Sequence, residues 1–70
     1  MPVPPHRAAF GARVRELRTG HGWSQEDFAH HAGLDRTYVS GIERGTRNPT
    51  LDIIHKLAQA LEVPAADLLA

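Results

Sequence analysis

Apolar residues recur at helical spacing along the chain and predict an all-α fold. In a first helix, residues 7–19, the side chains of Phe10, Val14 and Leu17 follow one another at i, i+4 and i+7 and form one apolar stripe. A later helix has a broader apolar face. It covers residues 51–62, with Leu51, Ile53, Ile54, Leu57, Ala58 and Leu61 on that face. A last short helix is predicted to begin at Val63-Pro64, because proline is favoured at the first helical position.

The centre of the chain predicts two helices of about two turns each, joined by a tight turn. Ser24 can cap the first helix, with Asp27 three positions on as the second half of a capping-box pair. Gly33 ends that helix, since glycine accepts the left-handed backbone of a helix stop. Asp35 can then cap the second helix, residues 36–44. Helices this short are not stable in isolation, so they must pack on each other.

The second of these helices combines a small apolar base with a polar outer face. Val39 and Ile42 share the inner face and can pack against Phe28 of the preceding helix. The remaining side chains point elsewhere and are Arg36, Thr37, Tyr38, Ser40, Gly41 and Arg44. This pattern fits the recognition helix of a helix-turn-helix in a DNA major groove. A helical hairpin in any small bundle has the same pattern, so periodicity alone leaves both interpretations open.

The same stretch closely resembles the helix-turn-helix of phage repressors and Cro/Xre-type bacterial regulators. The matching residues are Gln25, Ala29, Gly33, Val39 and the run Ile42-Glu43-Arg44-Gly45, followed by Arg47-Asn48-Pro49. Within that family, LDRTYVSGIERGTRN looks most like the controller proteins of restriction–modification systems. The resemblance covers roughly residues 9–69. It implies a compact, five-helix, phage-repressor-like domain that binds DNA and regulates transcription.

A chain of 70 residues allows one small domain, in which every apolar face matters for stability. Residues 1–6 hold three prolines and are expected to form a flexible N-terminal arm. Residues 7–70 are expected to form the helix-turn-helix domain. The formal net charge is zero, but residues 36–48 carry three arginines against one glutamate. The recognition helix and the loop after it are therefore locally basic, as contact with phosphates requires.

The expected DNA contacts divide between bases and backbone. Base contacts are expected from Arg36, Thr37, Tyr38 and Ser40, and phosphate contacts from Gln25, Arg44, Arg47 and Asn48. The planar fork of Arg36 can bond O6 and N7 of guanine. Gln25 opens its helix, where the positive end of the helix dipole favours a phosphate, although a plain surface glutamine is the alternative. Asn48 followed by proline is also ordinary turn chemistry.

Gly41 departs from relatives that carry a long polar side chain at the same position. Base readout is therefore expected to be thinner and to depend more on DNA shape. A glycine within a helix costs about 1 kcal/mol relative to alanine, so a close approach of DNA at Gly41 is one hypothesis for its presence.

Two further roles follow from the resemblance. The counterparts of Arg18 and Glu43 form a structural salt bridge, so a partly buried pair is expected here between the first helix and the end of the recognition helix. The C-terminal region often forms a two-fold contact in this family, which implies a homodimer with Val63, Leu68 and Leu69 at the interface. The alternative is that both leucines simply complete the core.

Composition argues against several other functions. The chain has no cysteine, and its five histidines match no zinc spacing. No nucleophile, acid–base pair or cofactor loop is found, so we expect no enzyme, no metal, no cofactor and no small-molecule ligand. The four aromatic residues form no stacking platform for RNA, because three of them are expected to be buried.

No run approaches the length of a membrane span and no signal-peptide pattern is present, which predicts a cytoplasmic protein without a membrane partner. The expected partners are double-stranded DNA, a second copy of the chain and RNA polymerase, the last through Glu26 or Asp27. A second hypothesis is a protein–protein module, such as an antitoxin or a subunit of a larger regulator, with DNA binding secondary.

Overall fold

Five helices make up the part of the chain that the structure describes, residues 2–69. The structure is a computed structural model, and Met1 and Ala70 lie outside the described residues. The helices are α1 (Pro5–Gly20), α2 (Gln25–Ala32), α3 (Arg36–Arg44), α4 (Leu51–Leu61) and α5 (Ala66–Leu69). No strand occurs between residues 2 and 69. The predicted all-α, five-helix fold is confirmed.

Side-chain caps open α2 at Ser24 and α3 at Asp35, as predicted, and α4 at Thr50, whose hydroxyl accepts the Ile53 N–H. The Ser24 hydroxyl accepts a hydrogen bond from the Asp27 N–H at 3.0 Å, and the Asp27 carboxylate accepts one from the Ser24 N–H at 3.1 Å. Two hydrogen bonds lower the pKa of Asp27 below its ordinary value of 3.8. The larger effect comes from the Ser24 backbone N–H and the smaller from the Ser24 side chain. Because folding lowers that pKa, the ionised carboxylate contributes to stability at neutral pH. This contribution is lost as the pH falls below 3.8 and through the lower pKa of the folded state.

Four helix boundaries differ from the predicted ones, two of them by one residue: α1 ends at Gly20 and α4 ends at Leu61. The first helix begins at Pro5 rather than at Arg7, because proline at the first helical position leaves no N–H unpaired. The last helix begins at Ala66. Pro64 lies in the turn before it, where its carbonyl accepts a hydrogen bond from the Asp67 N–H at 2.9 Å. Of the predicted arm, Val3 is half-buried and lies against Gly45, and whether the arm is flexible stays a prediction.

The core is formed by the apolar faces of all five helices. Its buried members are Phe10, Val14, Phe28, Ala29, Ala32, Val39, Ile42, Leu57, Ala58, Leu61 and Leu68. Trp23 precedes the Ser24 cap and its ring stacks on that of Phe28 with the centroids 6.0 Å apart, the pairing of a hydrophobic staple. Leu51 was predicted to lie in this core, but it is 78% exposed. It lies at the first position of α4, where the side chain extends beyond the bundle.

Helices α1 and α3 cross with their backbones in contact at Gly11. A Cβ atom at that position would lie 2.4 Å from the carbonyl oxygen of Ile42 and 2.6 Å from that of Glu43. Both distances are far below van der Waals contact, so only glycine fits between the two helices. The crossing places the inner face of α3 against α1 and leaves its outer face toward solvent. Between residues 2 and 69, no helix has the length and hydropathy to cross a membrane.

Candidate nucleic-acid interface

The outer face of α3 is largely open to solvent. Arg36, Thr37 and Arg44 are exposed and Ser40 is half-buried. These four side chains line a shallow depression of about 310 Å³. Three of the four predicted base contacts therefore share one surface, together with one of the predicted phosphate contacts.

Hydrogen bonds within this surface hold two hydroxyl groups in place. The Thr37 hydroxyl donates to Oδ1 of Asp35 at 2.5 Å, and that oxygen also accepts the Thr37 N–H at 2.8 Å. Both bonds lower the pKa of Asp35 below its ordinary value of 3.8, and the bond from the Thr37 hydroxyl has the larger effect. The Asp35 carboxylate is therefore ionised at neutral pH. On the next turn, Nη1 of Arg44 donates to the Ser40 hydroxyl at 2.6 Å. Arg44 thus reaches back along α3.

Tyr38, the fourth predicted base contact, is half-buried and packs against the core on one side. The guanidinium of Arg47 lies over its ring, 5.4 Å from the centroid, in the geometry of a cation–π contact. Arg47 comes from the loop after α3, which the Thr46 hydroxyl ties to the Gly41 carbonyl at 3.1 Å. The loop side chain is thereby brought beside α3.

Gly41 lies beneath this loop. A Cβ atom there would lie 2.7 Å from Cγ of Arg47 and 3.3 Å from Oγ1 of Thr46. The space that a side chain at position 41 would take is therefore occupied by the protein itself. This gives the glycine a structural reason, independent of the close approach of DNA that the sequence suggested.

Behind α3, the structure brings Arg18 and Glu43 together in a two-pronged ion pair. Nε of Arg18 donates to Oε2 of Glu43 at 2.7 Å, and Nη2 donates to Oε1 at 3.0 Å. The two side chains are only 10% and 3% exposed. Nη1 of Arg18 also donates to the Trp23 carbonyl at 2.8 Å. One arginine thus joins α1, the end of α3 and the segment leading into α2.

Gln25 is connected to the same pair. Its Nε2 donates to Oε1 of Glu43 at 3.1 Å, which fixes the orientation of the amide at the first position of α2. The side chain is half-buried, and one of its amide protons points at Glu43. Gln25, predicted as a phosphate contact, is therefore held in one orientation by a glutamate that has two other hydrogen bonds.

Asn48 is separated from the other predicted phosphate contacts. It is exposed in the segment between α3 and α4, and it lines a different cavity, together with His6 and Arg7 of α1. The structure therefore places Gln25, Arg44 and Arg47 around α3 and the start of α2, and Asn48 on the side that faces the beginning of α1.

Comparison with known proteins decides the family. A model of the helix-turn-helix family HTH_3 matches residues 14–68, which is more than half of the chain. The chain belongs to this helix-turn-helix family. In this chain, α2, the turn at Gly33 and α3 form the helix-turn-helix, and α3 is the recognition helix.

Relatives of this helix-turn-helix protein include controllers of restriction–modification systems. It is 50% identical over 64 residues to the control protein C.BamHI of Bacillus amyloliquefaciens, covering 90% of this chain and 79% of that protein. It is similar to the crystal structure of the restriction-modification controller protein C.AhdI from Aeromonas hydrophila, with a TM-score of 0.85 and 54% identity over 87% of this chain and 92% of that one.

A second similar structure is the controller protein C.Esp1396I, a tetramer in complex with its natural 35 base-pair operator. Its TM-score is 0.85 at 34% identity, covering 93% of this chain and 86% of that one. The predicted resemblance to the Cro/Xre-type regulators and to the restriction–modification controllers is confirmed. This helix-turn-helix protein is a DNA-binding transcriptional regulator.

A second surface of this helix-turn-helix protein is apolar. Leu69 is 64% exposed, and with Ile54 and Pro49 it lines the cavity, of about 270 Å³, beside the start of α1. Leu51 lies three residues before Ile54 and so on the same face of α4. We call these four residues the apolar face.

The predicted dimer contact is corrected in one residue by this arrangement. Leu68 is 1% exposed and lies in the core, where α5 packs against α1, so it is unavailable to a partner. Leu69 remains available and Val63 is half-buried. The exposure of Leu51 was not predicted from the sequence, because its spacing matches the core stripe of α4. Its position as the first residue of the helix was the one signal that it could be exposed.

Asp35 was predicted only as a helix cap. The structure gives it a second contact, with the Thr37 hydroxyl. The signal available in the sequence was the spacing, because a threonine two positions after a capping aspartate can bond it through both its N–H and its hydroxyl.

Proposed function

We propose that this regulator binds a specific, pseudo-palindromic operator as a homodimer, with α3 of each copy in the major groove. The observation that carries the proposal is the exposed depression on α3, lined by Arg36, Thr37 and Ser40, on a helix whose inner face is held against α1. A B-DNA major groove is wide enough to admit an α-helix, and base edges are read there by hydrogen bonds.

The proposed contacts keep the division made from the sequence. Arg36 reads a guanine through O6 and N7, and Thr37, Ser40 and Tyr38 supply further base contacts. Phosphate contacts are proposed for Gln25, Arg44, Arg47 and Asn48. The orientation of the Gln25 amide and the backbone N–H groups at the start of α2 support a phosphate site at that helix end.

The homodimer is proposed to form through the apolar face. Two large leucines there are exposed, which favours burial against a second copy of the same surface. A two-fold dimer would place two α3 helices about 34 Å apart, one turn of DNA. The tetramer of C.Esp1396I on its operator supports an oligomeric complex on DNA.

Arg36→Ala and Arg47→Ala are expected to affect DNA binding in different ways. Arg36→Ala removes a bidentate base contact, so the preference for the selected operator over random duplex should fall by about 1–3 kcal/mol. Arg47→Ala removes a cation that would contact a DNA phosphate, so all sequences should be bound more weakly. The slope of log K against log salt concentration should fall in magnitude by about one. Fluorescence anisotropy on both duplexes, at several salt concentrations, measures both quantities.

Arg15→Ala is the matched control, because Arg15 is an exposed arginine of α1. It should change neither the sequence preference nor the salt slope by as much as the two test variants. If Arg36→Ala weakens binding to operator and random duplex equally, Arg36 does not read a base. If no duplex is selected at all, the regulator does not act through a specific operator.

Leu69→Asp is expected to weaken dimerisation by about a hundredfold or more. Burial of one leucine side chain contributes about 1.5–3 kcal/mol, and a two-fold interface contains the residue twice. Sedimentation equilibrium of the purified protein measures the change. Gln59→Asp adds the same charge at an exposed position of α4, outside the apolar face, and should leave association unchanged. Equal association of wild type and Leu69→Asp would exclude the apolar face as the interface.

A further inference from the structure

We propose that Asp35 and Arg44 act as positioning residues that fix the hydrogen-bonding polarity of the two hydroxyls on the recognition helix. Asp35 makes Thr37 an acceptor, and Arg44 makes Ser40 a donor. This inference rests on the proposed function and adds to it the class of base edge that each hydroxyl can face in the operator.

Thr37 has a single hydroxyl proton, and Asp35 takes it. The hydroxyl oxygen lies 2.5 Å from Oδ1 of Asp35, and an ionised carboxylate can only accept. The Thr37 hydroxyl must therefore be the donor in this bond. Its oxygen keeps lone pairs but no free proton, and the side chain is exposed on the outer face of α3. Thr37 can accept from an amino group, which in the major groove means N6 of adenine or N4 of cytosine.

Ser40 is in the opposite situation. Nη1 of Arg44 lies 2.6 Å from its hydroxyl oxygen, and a guanidinium has only donors. The Ser40 oxygen must therefore be the acceptor, and its proton is not used in this bond. None of the side-chain hydrogen bonds among residues 2–69 uses that proton either. Ser40 can donate to N7 or O6 of guanine, N7 of adenine or O4 of thymine.

The recognition helix consequently presents a defined order of groups to a duplex. Arg36 offers a fork of donors, Thr37 an acceptor, and Ser40, three residues further on the same face, a donor. A base edge of the wrong polarity opposite either hydroxyl would leave two like groups facing each other without a hydrogen bond. In this assignment Arg44 acts on the bases through Ser40, in addition to any contact with a phosphate.

The test is selection of duplexes from a randomised library by the wild-type protein and by single variants. Thr37→Val keeps the methyl group and the shape but removes the acceptor. Ser40→Ala removes the donor. Each variant should lose about tenfold preference at one base-pair position, and the two positions should differ. In the selected duplex, adenine→purine removes the amino group opposite Thr37, and guanine→7-deazaguanine removes N7 opposite Ser40. Each should weaken wild-type binding more than that of the matching variant.

The positioning roles have their own readout. Arg44→Ala releases the Ser40 oxygen, which can then accept as well as donate, so the preference at the Ser40 position should broaden while that at the Arg36 position stays. Arg44→Lys retains a donor and should restore the narrow preference. Asp35→Asn retains an acceptor for Thr37 and should behave like the wild type, whereas Asp35→Ala should broaden the Thr37 position.

Three outcomes would overturn the inference while leaving the proposed function intact. The first is that the base selected opposite Ser40 offers only an amino donor. The second is that Thr37→Val and Ser40→Ala change the base preference at no position of the selected site. The third is that Arg44→Ala narrows the base preference opposite Ser40 instead of broadening it. Selection of no sequence by the wild-type protein would instead show that the proposed function is wrong, and the inference with it. Thermal unfolding of each variant by circular dichroism shows that a lost preference does not come from unfolding.

Discussion

Replacing Arg18 with methionine is expected to lower the free energy of unfolding by about 3–5 kcal/mol. The substitution keeps much of the side-chain volume but leaves the Glu43 carboxylate, only 3% exposed, without the cation that balances it. It also removes the bond to the Trp23 carbonyl, which joins α1 to the segment before α2. A domain of this size has about 4–10 kcal/mol in total, so the loss is a large part of it. Urea unfolding followed by circular dichroism measures the change.

Two controls separate the buried charge from the loss of an arginine. In the double variant Arg18→Met with Glu43→Leu both charges are removed, and apolar replacements of buried pairs are often neutral or stabilising. Most of the lost stability should therefore return. Arg15→Met changes an exposed arginine of the same helix and should cost about 0.5 kcal/mol or less. A double variant no more stable than Arg18→Met would show that the pair's hydrogen bonds, rather than its unbalanced charge, decide the effect.

Gly11→Ala is expected to lower the free energy of unfolding by about 1–2 kcal/mol. Overpacking costs about 1–3 kcal/mol, and here the added methyl meets the backbone carbonyls of Ile42 and Glu43, which cannot rotate away. Alanine is favoured over glycine in a helix by about 1 kcal/mol, which offsets only part of this cost. The methyl can be accommodated only if α3 shifts away from α1. Because α3 carries the proposed base contacts, affinity for a selected operator should fall as well.

Gly20→Ala is the matched control for this substitution. Gly20 also lies in α1, it is exposed, and no atom lies within 4 Å of a Cβ placed there. The same chemical change should therefore be neutral or slightly stabilising. Urea midpoints of the two variants and their anisotropy titrations against one duplex give the comparison. Equal stability of Gly11→Ala and wild type would mean that α1 and α3 can separate at little cost.

Much of the fold could be predicted because its signals are local. The caps at Ser24, Asp35 and Thr50 and the stop at Gly33 join residues only a few positions apart, so the sequence shows both partners of each interaction. The bounds of α3 were predicted correctly for this reason. The larger differences lie at the helix starts near Pro5 and Pro64, where a proline indicates a nearby helix start but not its exact residue.

The candidate site was predicted only in part. The sequence placed Arg36, Thr37 and Ser40 on the outer face of α3, since that face follows from helical spacing alone. It could not show that Arg44 reaches back to Ser40 or that Gln25 donates to Glu43. Those contacts depend on rotamers and, for Gln25, on how α2 and α3 are placed relative to each other.

By itself, the sequence determined the helices, their inner and outer faces and the family, because these follow from spacing, caps and a contiguous motif. Only the tertiary structure decided which surfaces meet. It placed the α3 backbone against Gly11 and the loop side chain of Arg47 over Gly41, and it buried Leu68 while leaving Leu51 exposed. Two leucines at similar helical spacing are chemically equivalent in the sequence. Their burial is set by neighbours from distant parts of the chain, which come together only when the helices pack.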